Sequence, residues 1–176
     1  LKPYTNAPSY LEDPTFYSDW GDPREFTLGD IGVGECAGEI VSLFSMEIAT
    51  AEGQHFDALI ALEEGDYQLA DERAYNSMLL AAKALVRNEY IDVGDDPDSI
   101  VSEFRTRFYD TRLFFDKYAR GKFAHYLFNR HNTPHTSPNA DTAHRLVEEA
   151  QLFIEAAHAC DARMAEAMVM AGGLVL

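Results

Sequence analysis

The stretch from Glu35 to Val86 constrains this chain more than any other, because it reads as two long helices with a single break at Gly65-Asp66. Gly65 suits the left-handed position just past a helix end, and the Asp66 carboxylate can cap the helix that follows. In the first run, Ile40, Leu43, Phe44, Ile48, Phe56, Leu59, Ile60 and Leu62 recur mostly at helical spacing. In the second, Tyr67, Ala70, Ala74, Met78, Ala81 and Leu85 form one row, with Tyr75, Leu79, Ala82 and Val86 beside it. A connection this short forces the two helices antiparallel. The expected core is a helical hairpin.

Length sets the scale around that hairpin. A chain of 176 residues with 47% hydrophobic content can bury one full core, so one domain plus an arm is expected. Thirty acids against 14 bases leave a formal charge of −16, a field that repels phosphate backbones and anionic lipid. No run of basic residues stands out against it, so nucleic acid is not the expected partner. Cys36 and Cys160 are the only cysteines. Two thiols exclude a Cys-only iron–sulfur cluster or structural zinc site within the chain, and fit a reducing, cytoplasmic compartment. No apolar run nears the roughly 20 residues that span a bilayer, and the start carries no signal-peptide pattern. Because the sequence opens on Leu1, it is expected to be a trimmed product or a piece of something longer.

Residues 1–34 read as an extended arm. Pro3, Pro8, Pro14 and Pro23 interrupt any helix, and Gly21, Gly29, Gly32 and Gly34 punctuate the rest. Tyr4, Tyr10, Phe16, Tyr17, Trp20 and Phe26 make it too aromatic for a plain linker, so it is expected to pack on a surface. The domain proper is then 35–176. A third helix should start at Asp96-Pro97-Asp98, with a cap, a first-turn proline and an acid suited to the dipole. Its row Ile100, Phe104, Phe108, Phe115 and Tyr118 runs to a kink or break at Arg120-Gly121-Lys122. Phe123, Tyr126, Leu127 and Phe128 resume the apolar pattern, and 129–139 reads as a polar loop. The last helix starts near Asp141, carries Leu146, Val147, Ala150, Phe153, Ile154, Ala157, Met164 and Met168, and ends at Gly172-Gly173. The expected fold is all-α, a four- to five-helix up-down bundle.

Three constellations could carry chemistry. Glu52-x-x-His55 and Glu155-x-x-His158 each place two metal-ligand types on one helix face, as in di-iron carboxylate bundles, with Glu72 and Glu103 as further ligands. An acid-rich chain with six histidines produces such triplets by chance, and these fall on the first and last helices, where ferritin-like chains use the second and fourth. The second constellation is Arg130 and His135: an arginine can hold a phosphate and a histidine can move a proton, the two tasks of RNA cleavage. The third is Cys36 at a helix start, where a thiol gains acidity. It has no resolving partner nearby and reads as packing.

The stretch Ala58–Val86, ALIALEEGDYQLADERAYNSMLLAAKALV, resembles the helical hairpin of HEPN domains, small bundles in which a Gly-Asp-Tyr-type turn precedes an Ala-rich helix. Arg130 and His135 are similar in spacing to the Arg-x(4–6)-His pattern of the ribonuclease members. The segment Asp13–Glu39 is similar to the tail that follows the catalytic part of bacterial nitrite/sulfite reductase haemoproteins, where a HEPN-like bundle is fused. That resemblance implies a sirohaem and a [4Fe–4S] cluster in an upstream domain, since the cluster's four thiolates exceed what this chain holds.

The expectation drawn from these features is a non-catalytic accessory or oligomerisation domain, a homodimer or a dock for an upstream catalytic domain. The alternatives are a HEPN-type ribonuclease or nucleotide-binding protein using Arg130 and His135, and a di-iron bundle using Glu52, His55, Glu155 and His158.

Overall fold

In the computed structural model, residues 42–173 are described, and among them every regular element is helical. The arm of residues 1–34, Cys36 and the expected helix start at 35–41 lie outside the described residues. Helix α1 spans Leu43–Glu64 and α2 spans Tyr67–Glu89. Helix α3, Pro97–Phe104, runs into a π-helical turn over Arg105–Tyr109. Helix α4 covers Lys122–Asn132, and α5, the longest, covers Ala140–Gly173. No described helix is long and apolar enough to cross a membrane.

The α1–α2 turn forms as its residues dictate. Gly65 sits at φ 81°, where a side chain would be strained, and its N–H closes the end of α1. Asp66 then accepts a hydrogen bond from the Leu69 amide and caps α2. Asp96 likewise caps α3, with Pro97 in its first turn.

Helix α2 is the hub, packing against all four other helices. Its expected rows are buried: Ala70, Ala74, Met78, Ala81, Leu85, Leu79, Ala82 and Val86 all face the core. Helix α1 departs from the reading. Phe44, Ile48, Ala51, His55, Ala58 and Ala61 face inward, while Phe56, Leu59 and Ile60 face out. The reason is the alanine seam: Ala51, Ala58 and Ala61 lie on the hairpin's inner side, and their short side chains let the two backbones approach closely. A row of bulky residues there would hold α1 away.

The other end of the core is aromatic. Phe104 meets Phe108, Phe114, Phe128 and Phe153 at centroid separations of 5.0 to 6.0 Å. Here the chain again differs from expectation. The third helix stops after Tyr109, so Phe114 enters the core, whereas Phe115 is 37% and Tyr118 86% exposed. The helix ends with the π turn, and just beyond it Arg112 takes φ 61°, so the chain turns and Phe114 rather than Phe115 reaches the core.

Candidate functional site

The most unusual buried group in the bundle is Asp71, fully enclosed one turn into α2. A carboxylate without water must be paired or neutralised. Two side chains from the far end of the chain supply partners. Helix α4 runs to Asn132, three residues beyond the expected start of the polar loop, so Arg130 lies in its last turn. Thr133 ends the helix, its amide bonded to the Asn129 carbonyl, and Pro134 prevents continuation. The chain reverses there and brings His135 back over α2.

Arg130 donates through Nε and Nη2 to Oδ1 of Asp71, both at 2.8 Å. His135 donates from Nδ1 to Oδ2 at 2.5 Å. The carboxylate thus accepts from a guanidinium on one oxygen and an imidazole on the other. Arg130 is itself nearly buried, and its guanidinium carbon lies 4.7 Å from the centre of the Tyr75 ring. Tyr75 is one turn beyond Asp71 on α2, so both project from one face.

A second relay backs the first. The Tyr75 hydroxyl and His131 Nδ1 are 2.8 Å apart, and His131 Nε2 is 2.8 Å from Asp98 at the start of α3. Burial raises the Tyr75 phenol above its ordinary pKa and Asp98 adds to the rise, while the Arg130 charge opposes it. The phenol therefore stays protonated through the neutral range.

On its outer side the site opens into a cleft of about 440 Å³, lined by Tyr126, Arg130, Thr133, His135 and Glu149 among others. His135 is the member of the triad that reaches solvent, with its side chain 33% exposed. With Nδ1 committed to Asp71, Nε2 is the nitrogen left to exchange a proton. Glu149, on α5, has its carboxyl pushed above the usual range by burial, opposed by Arg145, His135 and Lys122. Chemically, the arrangement offers an oriented imidazole, a half-buried carboxyl and a guanidinium whose charge is already matched.

The structure brings Arg130 and His135 together, and of the metal constellation it joins only Glu52 and His158. His55 is buried and bonds the Val147 carbonyl at 3.0 Å. Glu52 meets His158 at 2.6 Å across α1 and α5. Glu155 accepts from Gln151 one turn back, Glu72 from Gln68, and Glu103 pairs with Arg107. Among the described residues no three His, Cys, Asp or Glu side chains gather to hold a metal ion.

Asp71, Tyr75, Asp98 and Glu149 are the members of the site that the sequence did not announce. A single acid in a chain with 30 of them carries no signal. The one available clue was position: Asp71 interrupts α2 beside an otherwise apolar row.

Comparison of the chain with protein-family models, with curated proteins and with solved structures gave no match.

Proposed function

We propose that this chain is a HEPN-like helical module that acts without catalysis, as the dimerising accessory region of a nitrite/sulfite reductase-type protein. The sirohaem and iron–sulfur chemistry of such a protein would belong to a domain outside this chain. The observation that carries the reading is the outer face of α1. Met46, Ala49, Gly53, Phe56 and Ile60 are all exposed and recur at alternating steps of three and four, the spacing of a helix–helix seam. Met46 is 60% and Phe56 61% exposed.

The face suits a second copy of itself. An antiparallel pairing centred on Gly53 sets Met46 opposite Ile60 and Phe56 opposite Thr50, with small residues where the axes are nearest. The acids of α1 then oppose neutral residues: Glu47 meets Leu59, Glu52 meets Gln54, Asp57 meets Ala49 and Glu63 meets Leu43. A two-fold interface of this kind is the commonest route to a homodimer. The inward lock of Arg130 onto Asp71 agrees with an accessory role, because a guanidinium held by a buried carboxylate is a poor grip for phosphate.

A Gly53→Cys variant in a Cys36→Ser background tests the pairing. Gly53 has open space around its missing side chain. Mild oxidation should yield a covalent dimer, and its absence at concentrations where the protein self-associates would rule out this seam.

One observation favours a second reading. The Asp71–His135 contact fixes the imidazole tautomer and leaves Nε2 at the cleft, the arrangement a general acid/base requires. A metal-independent HEPN-type ribonuclease would use it, with Arg130 beside the phosphate. RNA cleavage that disappears in His135→Ala, while the fold is retained, would support that reading over the accessory one.

A further inference from the structure

The connection between the π turn and α4 carries a feature the accessory role does not use. Two residues other than glycine take positive φ among the described residues, and both are arginines: Arg112 at 61° and Arg120 at 57°. Both line the same cleft of about 390 Å³, with Tyr109, Asp110, Phe114 and Phe115. Glycine is the unstrained choice at such positions. Strain of this kind persists where the surroundings enforce it, and such positions cluster at binding sites.

The surroundings do enforce it. Asp116 and Arg120 exchange two backbone hydrogen bonds, each 2.8 Å. The Asp116 carboxylate accepts from the Ala119 and Tyr118 amides, which hold it below the usual carboxylate range. The Phe114 amide bonds the Phe108 carbonyl, and the Leu113 carbonyl accepts from Arg163 on α5. The segment is therefore a braced scaffold that presents its side chains in fixed directions.

Those side chains are cationic and aromatic, with one acid, Asp110, beside the two arginines. Arg112, Lys117, Arg120 and Lys122 outnumber the two acids, Asp110 and Asp116, over residues 110–122 of a chain whose net charge is −16. Among the described residues neither Arg112 nor Arg120 has a carboxylate within ion-pair distance. Phe115 shows part of its ring at the same cleft.

We infer that this cleft binds a nucleoside phosphate. The two guanidiniums would take the phosphate groups through charge-assisted, bidentate hydrogen bonds, and the ring of Phe115 would stack on the base. Several observations favour a small ligand over an acidic peptide. The cleft has the size of a small-molecule pocket. Its cations sit at the two ends of one short segment, and an aromatic face lies with them. Screening at physiological salt reduces the molecule's negative field over about 8 Å, so the adjacent guanidiniums dominate at contact. The site lies at the N-terminal end of α4, whereas the Arg130–His135 cleft lies at its C-terminal end.

Titration calorimetry of the full chain with ADP and, separately, pyrophosphate tests the inference. ADP should bind saturably, with a dissociation constant on the order of 100 μM. The double variant Arg112→Gly/Arg120→Gly should weaken ADP at least tenfold without lowering the melting temperature, because glycine relieves the positive φ at both positions. Phe115→Ser should weaken ADP and leave pyrophosphate unchanged. His135→Ala should leave ADP binding unchanged. Absence of saturable ADP binding, or unaltered binding in the double variant, would overturn the site. Pyrophosphate binding as tightly as ADP would overturn the nucleoside assignment. Loss of ADP binding in His135→Ala, with the double variant intact, would place the ligand in the other cleft and overturn the inference.

Discussion

His135 and Asp71, 64 residues apart in sequence, meet at 2.5 Å between Nδ1 and Oδ2. The contact ties the loop after α4 to the first turns of α2. Because the carboxylate is fully enclosed and also bonded to Arg130, the triad acts as a pin between α2 and the end of α4. Its energetics are those of a buried ion pair: the intact group is close to balanced, and a broken one is costly.

Removing one member should therefore be expensive. Asp71→Asn leaves the Arg130 guanidinium buried without its counter-charge, and the expected loss is about 3–5 kcal/mol of folding stability. Urea denaturation followed by circular dichroism measures it. A loss near that of a surface substitution, within about 0.5 kcal/mol, would show that the guanidinium finds water instead.

Glu149 gives a pH signature. Burial raises its pKa in the folded state, so the folded protein holds this proton more tightly than the unfolded chain does. Its favourable contribution is present below the unfolded value and is lost as pH rises through the folded one. At neutral pH the ionised carboxyl costs stability. Glu149→Gln should accordingly be more stable than the parent at pH 7, with the advantage shrinking as the pH is lowered toward 4. Paired denaturation curves at the two pH values check the sign.

Cys160 behaves in the same direction at higher pH. Burial pushes its thiol from the ordinary 9.0 up to about 11. The thiolate is the reactive form, so a disulfide reagent at pH 8 should label this cysteine far more slowly in the native protein than in denaturant. The linked stability is intact below pH 9 and declines as pH rises toward 11.

Gly121 is required by contact. A Cβ built there would lie 2.8 Å from the Tyr109 ring, and Tyr109 is held in turn by its hydroxyl contact to His125 at 2.8 Å. Gly121→Ala should cost about 1–3 kcal/mol through displacement of that ring. Near-ultraviolet circular dichroism and a melting curve would register the change together.

Much of this architecture was legible, and the exceptions have physical causes. The turn at Gly65-Asp66, the cap at Asp96 and the buried rows of α2 follow from local chemistry and helical period. The α1 row is legible only in part, because size is not burial: Phe44 and Ile48 reach the core, but the seam uses Ala51, Ala58 and Ala61 and sends Phe56 and Ile60 outward. The end of the third helix carries no sequence signal, because arginine, not glycine, occupies the left-handed position at 112. Arg112 and Arg120 are separated in sequence by a largely apolar stretch, and only the fold of 110–121 brings them to one cleft. Arg130 and His135 stood out by spacing, whereas Asp71, their common partner, is invisible until α2 and α4 are packed.

The accessory reading rests on self-association through the outer face of α1, and sedimentation velocity across a concentration series tests it most directly. The parent chain should sediment as a dimer, and more completely at higher salt, because screening weakens the repulsion between two copies that each carry −16. Phe56→Glu, at an exposed position, should sediment as a monomer with its melting temperature preserved. A parent chain that stays monomeric at the highest concentration and salt, or a Phe56→Glu variant that remains dimeric, would contradict the account.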